Sequence, residues 1–504
     1  MELDFSSQAH FLLALLPEII LAVFGMIVLV YSVWKKEEEG QAGADYLGVL
    51  ALVGILLAAG ANGWLYCVSQ TGGDGMVVID RFRLFANWIF LLAGALSILI
   101  SLAYVTRQRL QTGETYALML FAMVGMMIMG GTHNLMLIFL GLEVMSISVY
   151  ALAAMNRRDR KSAEAGLKYF LLGAFSTGFF LYGIALTYGA TGTTDIVLMA
   201  QAMLEGATAI PLLAFGVVFL VIGFGFKVAA VPFHMWTPDV YEGAPSPVTA
   251  FMATGVKAAA FLAFLRVFMV AFPTVHEDWF PILWWLAAIT MVVANLIALV
   301  QSNVKRMLAY SSIAHGGYLI VGVAAANEMA SGAILFYLLV YTLMTIGAFG
   351  IVISVAHHGE DRLQIEDYAG FGWQQPLLGV FLTVFLLSLA GFPGTGGFIG
   401  KIFLLQGAVD SGLWTLAVVL VMSTVVSYWY YLRVAWFMWM KDASGPDAHA
   451  SVFTPLPMQV ALFGAAGLIL FLGIFPGAFG FLDFVQSSVD SLFGASGFLG
   501  QVVP

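Results

Sequence analysis

Long apolar runs separated by short polar stretches dominate the hydrophobic pattern of this chain. The hydrocarbon core of a bilayer, about 30 Å thick, takes roughly 20 apolar residues of helix to cross. Runs of that length predict fourteen spanning helices, at residues 11–33, 46–67, 85–105, 116–132, 134–154, 163–187, 210–235, 248–270, 281–301, 307–326, 332–356, 376–408, 413–440 and 457–480. Because no long polar segment separates these runs, we expect an all-α polytopic membrane protein without a soluble domain.

The connections between the predicted spans differ in their content of lysine and arginine. Those on one side carry twelve such residues: Lys35, Lys36, Arg107, Arg109, Arg157, Arg158, Arg160, Lys161, Lys305, Arg306, Arg362 and Lys441. Those on the other side carry only Arg81 and Arg83. Since cytoplasmic loops are the ones enriched in basic residues, the first set is predicted to be cytoplasmic and both termini to lie on the external, periplasmic side.

Composition supports this class and narrows the chemistry. Apolar residues make up 61% of the 504 residues and charged residues 10%, whereas an ordinary globular chain is about 45–50% apolar and about 25% charged. The net charge of −9 offers no basic patch for nucleic acid. The single cysteine, Cys67, excludes an intrachain disulfide and a cysteine-ligated metal or iron–sulfur site within this chain.

The middle of the chain contains a possible internal repeat. Spans four to eight and nine to thirteen form two groups of five, offset by about 173 residues, and GFGFK ending at Lys227 aligns with GFIGK ending at Lys401. Because five is odd, the second copy starts on the opposite side of the membrane, so the repeats are predicted to be inverted, as in many transporters. Coincidence among glycine-rich helices is the alternative. The predicted units are three N-terminal spans (1–112), the first repeat (113–275), the second repeat (276–441) and a last span with an external tail (442–504).

Ionisable residues lie deep inside several predicted spans. A charge near the bilayer centre costs about 2.5–3.5 kcal/mol on insertion scales, so Lys227, Lys257 and Lys401 should face the interior of the bundle. Burial disfavours the charged form of lysine, and a nearby carboxylate favours it. Glu143 is the only carboxylate deep in a span and is the expected partner of one of these lysines. A buried lysine with such neighbours can act as a proton carrier.

Two of these lysines adjoin predicted helix breaks. Pro232 follows Lys227 and cannot donate a backbone hydrogen bond, and Pro393 precedes Lys401 within the glycine-rich stretch LAGFPGTGGFIGK. Backbone groups freed at membrane depth are tolerated only where they line a protein-buried or watery cavity. His234 lies two turns beyond Lys227 and would share its face if the helix bends only modestly. These features predict a proton path.

Other ionisable residues have structural explanations as well. Lys168 lies close enough to the cytoplasmic surface to snorkel, and His234 and His315 are explained equally by interior histidines with satisfied hydrogen bonds. The roles of Arg266, Arg433 and Glu18 are left open, although arginines near span ends more commonly anchor the helix or form structural pairs.

The stretch GFGFKVAAVPFHMWTPDVYEGAPSPVTAFMATGVKAAA, starting at Gly223, closely resembles the signature region of subunit N of bacterial NADH–quinone oxidoreductase, respiratory complex I, one of the antiporter-like membrane subunits. The resemblance extends over essentially the whole chain. Four further stretches match: LGLEVMSISVYAL (140–152), EAGLKYFLLGAFS (164–176), SNVKRMLAYSSIAHGGY (302–318) and LAGFPGTGGFIGKIF (389–403).

This resemblance implies a row of proton-carrying residues across the membrane midplane at Glu143, Lys227, Lys257 and Lys401. It also implies auxiliary roles for Lys168 and His234. It places the chain in a bacterial plasma membrane as one subunit of an NADH:quinone oxidoreductase, beside other membrane-arm subunits, including neighbouring antiporter-like ones. No cofactor or metal is expected in this chain, because FMN, iron–sulfur clusters and quinone are expected in other subunits.

The function expected is proton translocation from the cytoplasm to the outside, driven by quinone reduction elsewhere in the complex. Glu143 would pair with Lys227, Lys257 would pass protons laterally with His234 or His315 and water, and Lys401 would release them. One alternative is a stand-alone or multi-subunit cation/H⁺ antiporter, although a single deep carboxylate argues against a Na⁺ site. The other is a non-pumping scaffold subunit, which leaves the buried ionisable groups unexplained.

Overall fold

The computed structural model describes residues 8–34, 45–68, 76–108, 110, 112–206, 210–355, 362–442, 452 and 454–494. Over these residues the chain is helical, and two isolated β-bridges join residues that are both described. The α-helices, in chain order, are α1 (Gln8–Ala14), α2 (Leu16–Trp34), α3 (Asp45–Val68), α4 (Arg81–Arg107), α5 (Thr112–Gly130), α6 (Leu135–Ala153), α7 (Arg160–Thr191), α8 (Ile196–Leu204), α9 (Ile210–Lys227), α10 (Thr237–Gly243), α11 (Ser246–Phe251), α12 (Lys257–Ala271), α13 (His276–Leu299), α14 (Val304–Ala325), α15 (Glu328–Val355), α16 (Phe371–Gln374), α17 (Pro376–Ala390), α18 (Gly396–Asp410), α19 (Trp414–Met440), α20 (Leu456–Ile474) and α21 (Phe481–Gly494).

The predicted spanning helices are confirmed. Among the described residues, 13 helical segments are long and apolar enough to cross a membrane. The remaining predicted span, 376–408, is divided into the two half-helices α17 and α18. The predicted span 210–235 is shorter than expected, because α9 ends at Lys227. Lys35, Lys36, Arg109 and both chain ends, on which part of the predicted topology depends, lie outside the described residues.

Short polar side chains start many of these helices. Asp80, Asn134, Asp159, Asp195 and Asn303 precede α4, α6, α7, α8 and α14, and each side chain accepts a hydrogen bond from a backbone N–H of the first turn. Such a cap satisfies donors that have no partner within the helix. The local sequence therefore determines where these helices begin, whereas packing of their apolar faces determines how they assemble.

The two repeats are marked by a matching pair of bridges. Asn134 pairs with Asp195 in the first unit and Asn303 with Gln364 in the second, so both partners are shifted by 169 residues. This register differs from the 173 residues estimated from the lysine motifs. The reason is that the first repeat breaks after Lys227 and the second breaks before Lys401, so the two lysines do not occupy equivalent positions.

Three spans form the centre of the bundle. In the span made by α11, a π-helical turn and α12, 100% of the residues in the most apolar 18-residue stretch are buried. The same share is 94% in both α14 and α15. The corresponding value for α2 at the periphery is 28%. The surrounding helices therefore shield the polar groups of α12, α14 and α15 from lipid. These groups include Lys257, His315 and several tyrosines.

A buried ionic cluster joins the N-terminal helices to the first repeat. Arg266 of α12 binds Asp80 through two hydrogen bonds of 2.7 and 2.9 Å and contacts His133 Nε2 at 3.1 Å. Arg83 pairs with Glu18 at 2.6 Å. Burial alone would raise the pKa of Asp80, but the charge and hydrogen bonds of Arg266 hold this pKa below its ordinary value. The roles that the sequence left open for Arg266 and Glu18 are therefore structural contacts.

Arg433 has a comparable structural contact at another helix end. Its guanidinium donates to the Leu299 carbonyl at 3.0 Å and to the Gln301 carbonyl. The Leu299 carbonyl belongs to the last turn of α13, whose carbonyls have no donor within the helix, and Gln301 lies two residues beyond it. Arg433 therefore caps α13 and ties it to α19.

Candidate functional site

The first helix break follows Lys227. Residues 228–236 are non-helical, so the helix is interrupted around Pro232 as predicted. The peptide bond between Val231 and Pro232 is cis. Backbone groups freed by the break find partners from other segments: Val231 N donates to Thr290 Oγ1 at 2.9 Å, and Trp236 Nε1 donates to the Phe226 carbonyl at 3.1 Å. The break is thus stabilised by specific contacts inside the protein.

Lys227 turns towards α6. Its ammonium donates to Ser146 Oγ at 2.7 Å and to the Tyr150 hydroxyl at 3.1 Å. Ser146 in turn donates to the Leu142 carbonyl, which leaves its oxygen free to accept from the lysine. Only 3% of Lys227 is exposed. Two hydroxyl groups, not a carboxylate, therefore hold this buried lysine.

The predicted pair of Glu143 with Lys227 is not formed. Glu143 is half-buried, and its buried Oε1 has no hydrogen-bond partner among the described residues. It does lie three residues before Ser146 and seven before Tyr150, on the same face of α6. Of the two groups that hold Lys227, Ser146 is consequently one helical turn from Glu143 and Tyr150 is two turns away.

His234 lies within the break and is half-buried. The hydrogen bonds of the Lys227 ammonium go to α6 and not to His234. The non-helical course of residues 228–236 explains this, because the predicted shared face required a continuous helix.

An open chain of alternating charges joins α7, α10 and α14. Lys168 pairs with Glu164 at 2.6 Å and with Asp239 at 2.7 Å. Arg306 joins Asp239 at 3.0 Å to Glu242 at 2.9 Å. These residues and Lys161 line a cavity of about 190 Å³ that we call the charged mouth.

The ion pairs of the charged mouth lower the pKa of two of its carboxylates. Burial would raise the pKa of Asp239, but Lys168 and Arg306 hold it below its ordinary value. Burial acts likewise on Glu242, whose pKa Arg306 and Lys161 lower. Asp239 and Glu242 are therefore ionised at neutral pH, and Lys168 belongs to a partly exposed chain of ion pairs. Sequence reasoning selected Lys168 but missed Asp239, Glu242 and Arg306, which lie close to it only after α7, α10 and α14 pack.

Lys257 begins α12 directly after the π-helical turn Met252–Val256. Its ammonium donates to both the carbonyl and the hydroxyl of Ser312 on α14, and it lies 5.6 Å from the centre of the Tyr341 ring. The residue is 2% exposed. As predicted for a mid-span charge, it faces the interior of the bundle.

His315 lies one turn further along α14. Its Nδ1 is 2.6 Å from the Tyr337 hydroxyl, and its Nε2 is 3.1 Å from the Tyr431 hydroxyl. Tyr431 also hydrogen-bonds to Ser311, the neighbour of Ser312. Both ring nitrogens therefore have polar partners.

Lys401 lies in α18, just beyond the second break. The predicted break at Pro393 is confirmed, since residues 391–395 are non-helical and Gly391 and Gly394 have φ values of 84° and 87° that favour glycine. The Lys401 ammonium donates to the Leu389 and Ala390 carbonyls, both at 3.0 Å. It also lies 4.9 Å from the centre of the Tyr318 ring. Carbonyls freed by the break thus become the ligands of the lysine.

The polar partners of the buried lysines and of His315 that the sequence analysis missed are mainly hydroxyls: Ser146, Tyr150, Ser312, Tyr337 and Tyr431. The first two lie on the face of α6 that carries Glu143, and this spacing could have identified them. The others become neighbours of Lys257 and His315 only when α14, α15 and α19 pack together.

Comparisons with known proteins show which family and fold this chain is similar to. A family model described as "NADH:quinone oxidoreductase/Mrp antiporter, TM" matches residues 132–427. NADH-quinone oxidoreductase subunit N of Trichlorobacter lovleyi is 48% identical over 94% of this chain and 96% of its own length. A chain of respiratory complex I from Thermus thermophilus is 35% identical, with a TM-score of 0.78 over 92% of this chain and 98% of its own. A chain of the Mrp complex from a Dietzia species, 20% identical over 97% of this chain and 99% of its own, shares the fold with a TM-score of 0.81.

Proposed function

The chain belongs to the family of subunit N of NADH-quinone oxidoreductase, an antiporter-like membrane subunit of respiratory complex I, and from this premise we propose that it translocates protons across a bacterial inner membrane. The other subunits of the complex are its partners. The redox reaction with FMN, iron–sulfur clusters and quinone takes place in those subunits, and its free energy drives the movement of protons here.

One observation carries the proposal: Lys227, Lys257 and Lys401 are each buried inside the bundle and held by hydroxyl or carbonyl groups. Groups of this kind accept hydrogen bonds from an ammonium and also from a neutral amine. A lysine at membrane depth is costly as a cation, and burial without an opposite charge beside it disfavours the charged form. Lysines without one are suited to gaining and losing a proton.

The proposed path starts at the charged mouth, which faces the cytoplasm if the chain follows the distribution of basic residues, with both termini periplasmic. Protons reach Lys227 at the first break, pass by Lys257 and His315, and leave from Lys401 at the second break. Glu143 acts on Lys227 from one turn away. Its carboxylate competes with Ser146 and Tyr150 for the lysine, so that movement of the side chain changes the charge beside the proton carrier.

The test is proton pumping coupled to NADH oxidation in membranes with the Lys227→Ala complex assembled at the wild-type level. Loss of pumping, with or without loss of electron flow to quinone, supports the proposal. Unchanged pumping at unchanged turnover contradicts it and favours a scaffold role. The exposed Lys441 supplies the matched control, because Lys441→Ala removes a lysine away from the path and should leave pumping intact.

A further inference from the structure

His315 is bonded to a tyrosine hydroxyl at each of its two ring nitrogens. Tyr337 reaches Nδ1 from α15, and Tyr431 reaches Nε2 from α19. All three residues are at most 1% exposed. A neutral imidazole has one N–H donor and one acceptor nitrogen, so one hydroxyl donates to the ring while the other accepts from it.

The two tyrosines contact segments that carry different lysines. Tyr431 hydrogen-bonds to Ser311, and the adjacent Ser312 binds the Lys257 ammonium. The Tyr337 ring packs on Gly400 so closely that a Cβ there would lie 2.4 Å from its Cδ2, and Gly400 immediately precedes Lys401. Tyr431 is thus on the Lys257 side of His315 and Tyr337 on the Lys401 side.

We propose that Tyr431 and Tyr337 carry the proton into and out of His315, so that the path from Lys257 to Lys401 runs through these two hydroxyls. This inference rests on the proposed function, which names His315 only as an auxiliary residue. It assigns proton transfer to two tyrosines that would otherwise be counted as packing residues.

The transfer conserves protons and electrons at each step. The Lys257 ammonium gives up a proton, which reaches the Tyr431 oxygen through the serine hydroxyls, and Tyr431 passes its own proton to the acceptor nitrogen of His315. The opposite ring N–H gives its proton to the Tyr337 oxygen, and Tyr337 releases its original proton towards the neutral Lys401 amine. One N–H bond breaks at Lys257 and one forms at Lys401, without any oxidation. The hydroxyls and the imidazole tautomer then return to their starting orientation.

The experiment uses the assembled complex with Tyr431→Phe or Tyr337→Phe, which keep the ring and remove only the hydroxyl. Removing a positioned acid–base group slows proton transfer by about 100-fold or more. We therefore expect each variant to lose pumping. Where residual pumping can be measured, its solvent deuterium isotope effect should exceed that of the wild type, because proton transfer becomes the slow step.

The control is Tyr368→Phe. Tyr368 is fully buried and its hydroxyl has no hydrogen-bond partner among the described residues, so this variant makes the same chemical change away from the path and should pump normally. A purely structural role of the hydroxyls would lower assembly without changing the isotope effect per assembled complex.

The outcomes separate the two proposals. If Lys257→Met and Lys401→Met abolish pumping while both tyrosine variants pump at the wild-type rate and isotope effect, the tyrosine path is wrong and the proposed function stands. If the lysine variants pump normally, the proposed function itself fails. Loss of pumping in Tyr431→Phe and Tyr337→Phe, but not in Tyr368→Phe, supports the path.

Discussion

The buried pair of Asp80 and Arg266 allows a quantitative test of how the N-terminal helices are attached to the first repeat. The Arg266 side chain is 0% exposed and that of Asp80 is 4% exposed. Removing one partner of such a pair leaves an uncompensated buried charge and costs about 3–5 kcal/mol. Asp80→Asn and Arg266→Met should each destabilise the protein on this scale.

The double variant should be more stable than either single variant. It removes both charges, and replacing a buried pair by neutral groups of similar volume is often close to neutral. The Asp80→Asn substitution would also keep the cap of α4, because Asp80 Oδ1 accepts from Arg83 N at 2.7 Å and asparagine caps helices about as well as aspartate. Asp80→Asn therefore removes the negative charge at this position and keeps the cap of α4.

The assay is the midpoint of thermal denaturation of the detergent-solubilised complex, together with the amount of complex assembled in the membrane. We expect the wild type to have the highest midpoint, the double variant the next and the single variants the lowest. Single variants that melt with or above the double variant would refute the argument, because they would show that neither charge depends on its partner.

Three further predictions concern separate features. Burial, followed by the charge of Arg266, lowers the pKa of His133 from 6.5 to about 4, so folding disfavours its protonation. Stability should therefore fall as pH drops from about 6.5 towards 4, and His133→Asn should reduce this fall in thermal midpoints measured against pH. At the second break, Gly397→Ala should prevent assembly, because its Cβ would lie 1.9 Å from the Ser388 carbonyl; Gly464→Ala, where nothing lies within 4 Å, is the control in membrane extracts. Lys168→Gln should change stability by less than about 1 kcal/mol, the usual limit for an exposed ion pair, and a larger loss in thermal denaturation would contradict this view of the charged mouth.

The helices and their breaks could be predicted because the signals for them are local. An apolar run long enough to span a bilayer identifies a helix without knowledge of its neighbours, and Pro232 and Pro393 interrupt backbone hydrogen bonding wherever they occur. The basic residues deep in the spans could be located for the same reason. Their charge is costly at that depth whatever surrounds them.

The partners of those residues could not be predicted in the same way. In the sequence, Glu143 is the only carboxylate deep in a predicted span, and pairing it with Lys227 follows from charge alone. In the structure Lys227 instead donates hydrogen bonds to Ser146 and Tyr150, because the end of α9 meets α6 one turn beyond Glu143. Charge identifies which groups attract each other, but helix packing decides which atoms come within hydrogen-bonding distance.

The three lysines differ in the groups that hold them, and this difference bears on the direction of transfer. Ser146, Tyr150 and Ser312 have hydroxyls, which can accept a hydrogen bond or donate one and can relay a proton. The Leu389 and Ala390 carbonyls at Lys401 only accept. An amine and an ammonium both have enough N–H groups to satisfy two carbonyls, so Lys401 can change its protonation state without leaving a buried carbonyl unpaired. The carbonyls cannot return a proton to it. On the proposed path, a proton at Lys227 or Lys257 thus has hydroxyl partners through which it can move on, whereas one at Lys401 leaves by water or returns through Tyr337. This asymmetry follows from the positions of the breaks, since only the second places freed carbonyls directly at the lysine.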